Sequence, residues 1–362
     1  MRRIPRSDQI KFARFARRRW VKKLTRQLFG KDDEYKPNVI LAPSVLSFSN
    51  NSIATIEFFD KLKESIFTKR IAKRKGEVRR QPFAIDLKSV RRISVPTAVV
   101  LAAELHRWSL SQKTNLRTRG VSGWSPRVRA LLTGLGVFEL LGVHIKQKKD
   151  DIAPEIVLLK LQSGVKRDGE SVDKLQTWFK AMGVVFDEKR FVFGALDEAI
   201  LNCIDHGYLD TGEKPRFPYA GHRWWATSCY DPVNDSLRFF VYDQGIGIPK
   251  SLPSNPNFWP SVLKSLKAFV GEAPQSSIIE SAFEIGRSRT HLAERGKGLD
   301  KMREAIDKAG AGYLRVISGQ GDVSLGPTGT LKKHDHDHHI GGTLVEWSIP
   351  VDALRPTGNG NG

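Results

Sequence analysis

The chain has 362 residues, 40% of them hydrophobic and 27% charged, which is enough to bury more than one core. Two cysteines, Cys203 and Cys229, exclude a disulfide framework and lead us to expect a reducing, cytoplasmic setting. No apolar run has the length of a membrane span; the nearest, Ser94–Leu105, carries Glu104 and stops at His106. Net charge is +20, and residues 1–31 hold twelve Lys or Arg against one acid, Asp8, so this short segment carries more than half of it.

The basic segment comes first. It lacks the apolar core of a secretion signal. Ile10–Leu28 has neither Pro nor Gly and spaces Ala13, Ala16, Trp20 and Leu24 as a helix would, with Gly30 as its C-cap. An amphipathic helical arm over 1–36 is expected, bounded by Asp32-Asp33-Glu34 and Pro37. Its arginines suit phosphates, while Phe12, Phe15 and Trp20 suit bases, lipid or protein. Nucleic acid, a membrane surface and the apolar stripe's own protein all remain open as its partner.

From 37 to 155 strands and helices alternate. Strands are expected at Val39–Leu41, Phe83–Leu87 and Asn115–Val121, and helices at Ile53–Phe67, Thr97–Trp108 and Pro126–Gly134. Such alternation implies a sheet with helices packed on it. Ile156–Leu161 leads into a second unit, 156–352, which begins with a helix at Val172–Met182. Pro356–Gly362, within the tail 353–362, is Gly/Asn-rich and expected to be disordered.

Three stretches of the second unit carry chemistry. Glu198, Asn202 and His206 recur every four residues, so one helix face would present all three, with Asp205 beside them. A carboxylate and an amide oxygen one turn apart suit Mg²⁺, although a solvated polar face has the same spacing. The apolar run Leu237–Tyr242 reads as a strand ending in Asp243-Gln244-Gly245-Ile246-Gly247-Ile248, either a ligand-approaching turn or a hairpin. Arg295-Gly296-Lys297-Gly298-Leu299 heads a helix through Ala305 and Ile306, whose free N–H groups would attract phosphate. His334-Asp335-His336-Asp337-His338-His339 is read as a solvated loop rather than a transition-metal site.

Acid–Asn helix, Asp–glycine turn and second glycine turn occur in the order used by the GHKL (histidine-kinase-like) ATPases, which this unit resembles. Asn202-x-x-Asp205-His206-Gly207-Tyr208 is most similar to the anti-sigma serine kinases of that family. The resemblance implies ATP and Mg²⁺ as cofactors. Asn202 would hold the metal, with Glu198 as second ligand and as the group that polarises the attacking water or hydroxyl. Asp243 would accept the adenine amino group, and Gly245, Gly247 and Ile248 would line the base. Asp205 would be a secondary ligand or simply exposed, His206 would belong to the cofactor site, and Ser288 and Thr290 would lie in the lid. Gly296, Lys297, Gly298 and Leu299 would bind phosphate, and Thr343, after Gly341-Gly342, would touch the adenine.

The stretch from Phe83 resembles a STAS domain, the fold of anti-sigma antagonists, through Ala84-Ile85-Asp86-Leu87, the helix at Ala98–Ala103 and Ser125-Pro126 before Leu135-Gly136-Val137. The serine phosphorylated in such antagonists has no counterpart in register, because the turn reads Ile93-Ser94-Val95-Pro96-Thr97. A docking role toward a protein partner is therefore expected of it, and a homodimer is left open. The expected architecture is a basic N-terminal helix, a STAS-like α/β domain and a GHKL-type α/β sandwich. P-loop, Cys-x-x-Cys zinc and serine-hydrolase patterns are absent.

Overall fold

The computed structural model describes residues 38–67, 72–74, 77–79, 83–112, 121–141, 156–167, 174, 177–178, 190–212, 215–219, 221–256, 258–266, 273–288 and 298–354. The basic arm, the tail, most of the helix expected at Val172–Met182 and most of the strand expected at Asn115–Val121 lie outside them. The chain is of mixed α and β class, built on an antiparallel sheet.

The first unit holds two short parallel ladders rather than one continuous sheet among the described residues. β1 (Asn38–Leu41) pairs with β5 (Phe83–Asp86), and β2 (Val45–Leu46) with β6 (Arg92–Ile93). Between them lie α1 (Ser52–Phe67) and the hairpin of β3 (Ala72–Arg74) with β4 (Glu77–Arg79). Then come α2 (Val95–Gln112), α3 (Pro126–Gly134) and the single turn α4 (Val137–Leu140). The central stretch of helix α2 is buried all round: each residue from Ala98 to Ala103 has no solvent exposure. A helix apolar on every side must be covered on every side, and the cover comes from both units.

The second unit is an eight-stranded sheet. Its order is β13 (Gly329–Asp335), β12 (Gly321–Gly326), β11 (Tyr313–Ser318), β14 (Thr343–Pro350), β10 (Ser236–Asp243) and β9 (Trp224–Asp231), with β7 (Val157–Leu158) and β8 (Gln162–Gly164) sharing the last edge. All its pairings are antiparallel. Helices α5 (Arg190–Asp205), α8 (Gln275–Ser288) and α9 (Gly298–Ala309) bury Leu196, Ala199, Phe283 and Ile306 against one face, meeting Trp224, Phe239, Val241 and Trp347. The short helices α6 (Ile248–Ser251) and α7 (Trp259–Leu266) lie beside α8, where Phe258, Val262 and Leu266 form a smaller cluster with Ala282.

Side chains alternate across a strand. Trp225, Phe240, Tyr242 and Leu344 therefore point to the other face, where they join α2 and the core of the first unit in one cluster. Four such side chains, at about 2–3 kcal/mol each, contribute roughly 10 kcal/mol of gross burial. The first unit is thus the second cover of the sheet. Trp225 Nε1 donates to His106 Nδ1 (3.2 Å), Arg315 donates to Ser49 Oγ (2.7 Å) and to the Phe48 carbonyl (3.2 Å), and Arg216 grips Asp60 and Glu64 (3.2 and 2.6 Å) across the same boundary. No helix among the described residues is long and apolar enough to cross a membrane.

Candidate functional site

Helix α5 presses Val192, Ala195, Leu196, Ala199, Ile200 and Cys203 onto the sheet at the three- and four-residue spacing of a buried stripe. That fixes its rotation. Glu198 and Asn202, one turn apart, then lie beside the first turn of α9. A Cβ on Gly298 would lie 2.8 Å from Glu198 Oε1 and 3.0 and 3.1 Å from the Asn202 amide atoms, so the start of α9 sits directly against both side-chain ends. Lys301, one turn further on, donates to Glu198 Oε2 at 3.1 Å. Asn202 Nδ2 faces Met302 Sδ at 4.0 Å. Asp300 in the same turn is pushed up to about 6 by burial, with Glu304 adding to the shift, and its Oδ1 is buried without a hydrogen-bond partner.

The other flank of α5 meets the end of β10. Asp243 is 3% exposed, and its carboxylate accepts the Gly245 N–H (2.7 Å), the Thr343 N–H and the Cys203 thiol. Burial outweighs these three donors and pushes the carboxyl up to about 6. The glycine turn is tied down on both sides. The Ile246 N–H donates to the Gly207 carbonyl (2.7 Å), and the Gln244 N–H to Tyr208 Oη (3.0 Å). Ser318 Oγ accepts the Ile248 N–H and shares a hydrogen bond with Thr343 Oγ1, both 2.8 Å. Leu299 and Ile248 pack between the main and smaller clusters on this face.

The structure therefore brings together Glu198, Asn202 and Gly298 on one side of α5, and Asp243, Gly245 and Thr343 on the other. The remaining expected residues are placed differently. Helix α5 ends at Asp205, where the Gly207 N–H turns back five residues to the Asn202 carbonyl (3.0 Å) that His206 N–H also reaches (3.0 Å); His206 follows the last helical residue, and Asp205 and His206 are both exposed. Gly245 is needed for the chain's own packing, since a Cβ there would run into the Gly207 carbonyl; Gly247 likewise lies 3.0 Å, from its Cβ position, from Ser318 Oγ. Ser288 closes α8, and only its backbone is described; Thr290, Gly296 and Lys297 lie outside the described residues.

The histidine-rich segment is not a solvated loop throughout. His334 and Asp335 complete β13, and His336 is buried with Nε2 3.2 Å from Asp322 Oδ2. Arg315 holds Asp322 at 2.9 and 2.7 Å, and the acid sits at about 2, as these partners outweigh its burial. No group of three or more His, Cys, Asp or Glu suited to a metal occurs among the described residues. Glu198 and Asn202 offer an oxygen pair instead, whose chemistry fits Mg²⁺ sharing its shell with phosphate and water.

Ser318, Cys203, Tyr208 and Lys301 are the site residues that sequence patterns missed. Ser318 ends a strand 75 positions beyond Asp243 with no local motif to mark it. Cys203 and Tyr208 were visible only as neighbours of Asn202. Comparison with models of known protein families and with curated proteins finds no match to this chain.

Proposed function

We propose that the chain is an ATP- and Mg²⁺-dependent regulatory protein with a GHKL-type site, which hydrolyses ATP or phosphorylates a partner Ser/Thr to drive a conformational switch. The observation that carries this reading is the convergence on one helix of a Glu/Asn oxygen pair abutting a glycine-started helix and a buried carboxylate in a tied glycine turn. In this reading Asp243 selects adenine by accepting its amino group in addition to the Gly245 N–H it already holds, a bond that a base without an amino donor forgoes. Asn202 and Glu198 hold the divalent ion, which would supply charge neutralisation at the phosphates. Glu198 also orients the attacking oxygen, and the N-terminus of α9 receives phosphate. Lys301 now occupies Glu198 and must give up one carboxylate oxygen for that task.

One observation narrows the phosphoacceptor. Ser94 and Thr97 lie at the start of α2, bonded to each other at 2.8 Å, and Thr97 is fully buried. Helix α2 packs on the sheet face opposite α5 and α9. The antagonist-like unit is thus screened by the sheet from Glu198 of its own chain, which favours hydrolysis or transfer to another protein over transfer in cis. The test is ATP binding and Mg²⁺-dependent phosphate release by the purified chain beside Asp243→Asn and Glu198→Ala. Binding lost in the first and turnover lost in the second support the reading; tight binding without turnover in wild type indicates an ATP-sensing adaptor, and no binding refutes the site.

A further inference from the structure

Lys63 on α1 is a buried cation at the boundary between the two units. It is 2% exposed, and its nearest carboxylate, Asp60, lies 4.0 Å away. A buried ammonium costs several kcal/mol unless it is well paired. Burial lowers its proton affinity, while Glu104 and Asp60 pull the other way. The hydrogen bond it makes is to the backbone: Nζ donates to the Ile340 carbonyl at 3.1 Å.

Ile340 opens the turn that sets Thr343. Gly341 and Gly342 have φ of 91° and 143°, open only to glycine without strain. A Cβ on Gly341 would lie 2.6 Å from Lys63 Nζ, and one on Gly342 would collide with the Asp243 carbonyl and lie 2.9 Å from Gln244 Cα. Tyr242 Oη donates to the Gly341 carbonyl at 3.1 Å, and the Ile340 N–H to the Gly319 carbonyl at 2.9 Å. The next residue, Thr343, donates its N–H to the Asp243 carboxylate. A dipeptide without side chains is therefore held between Lys63 on one side and the Asp243 turn on the other. Arg216, in the segment after α5, fastens the same stretch of α1 through Asp60 and Glu64.

We propose that Lys63 is a positioning residue through which the N-terminal unit sets the Asp243–Thr343 geometry, so that nucleotide binding at Asp243 and the seating of α1 are one coupled equilibrium. The ligand half rests on the reading of Asp243 given above. Coupling of this kind is reciprocal: a nucleotide that needs the turn in place must tighten α1.

The test uses the full chain with Lys63→Met, which keeps the bulk and removes the donor, and Gly341→Ala, which disturbs the same contact from the other side. Amide exchange is measured first without nucleotide. Residues 340–344 should exchange at least about tenfold faster in both variants, as loss of a charged hydrogen bond implies, while α5 stays protected. ATP should then bind about tenfold more weakly, with KM rising more than kcat falls, and ATP should slow exchange in α1 of wild type. Unaltered exchange at 340–344 beside normal ATP affinity overturns the coupling. Loosening spread evenly over the chain reduces Lys63 to a structural residue and also overturns it. Failure of wild type to bind ATP overturns the site reading and the ligand half together.

Discussion

Replacing Gly245 by alanine sets a methyl carbon inside the van der Waals envelope of the Gly207 carbonyl oxygen and 2.9 Å from Asp243 Oδ1. The obstacle is backbone, which cannot rotate aside, so the turn and the end of α5 must separate. Separation breaks two hydrogen bonds, Ile246 N–H to the Gly207 carbonyl (2.7 Å) and Gln244 N–H to Tyr208 Oη (3.0 Å). Overpacking costs about 1–3 kcal/mol and each lost bond about 1 kcal/mol, so the expected loss is about 3–5 kcal/mol. Gly194 is the matched control: it lies inside α5 with nothing within 4 Å of its Cβ position, and Gly194→Ala should stabilise by about 0.5–1 kcal/mol through helix propensity. Chemical denaturation followed by tryptophan fluorescence measures both. A loss below about 1 kcal/mol for Gly245→Ala would refute the packing argument, and equal effects at the two sites would show that glycine content alone is being measured.

Three further outcomes are expected. Asp243 sits near 6 in the fold because of burial, above the ordinary carboxylate value, so the native state keeps a proton that the unfolded chain has released. This group's contribution to stability should fall as pH rises from about 4 to about 6, by about 3 kcal/mol at most; denaturation of wild type minus Asp243→Asn across that window checks it, and a difference that grows with pH contradicts it. Glu198→Ala should keep ATP affinity within about threefold while losing at least about a hundredfold in phosphate release, as removal of a group aligning the nucleophile predicts; release at the wild-type rate removes Glu198 from the mechanism. Deleting residues 1–31 should weaken DNA or RNA binding and flatten its salt dependence, and titrations at two salt concentrations that do not differ between the forms dispose of the arm as a nucleic-acid contact.

Local pattern went a long way here. The spacing within Glu198–Asn202, the strand ahead of Asp243 and the glycine start of α9 are written in consecutive residues, because helix period, strand period and backbone permissiveness are local properties. Pro126–Gly134 and the strand ending at Asp243 occur where their patterns predicted them. Charge placement on residues 1–31 is equally a matter of sequence alone.

What the tertiary structure decided is how these pieces face one another. Trp224 and Trp225 are adjacent in sequence yet belong to separate cores, and the run Leu237–Tyr242, apolar except for Arg238, reflects a sheet covered on both faces. Sequence suggested two successive units and said nothing of their relative placement; folding laid one on the back of the other's sheet. Ser318 reaches Ile248 and Thr343, Cys203 reaches Asp243, and Lys63 reaches Ile340 across 277 residues. Contacts of that separation are set by sheet order and by the need to pair every buried donor, and neither leaves a mark in a local window.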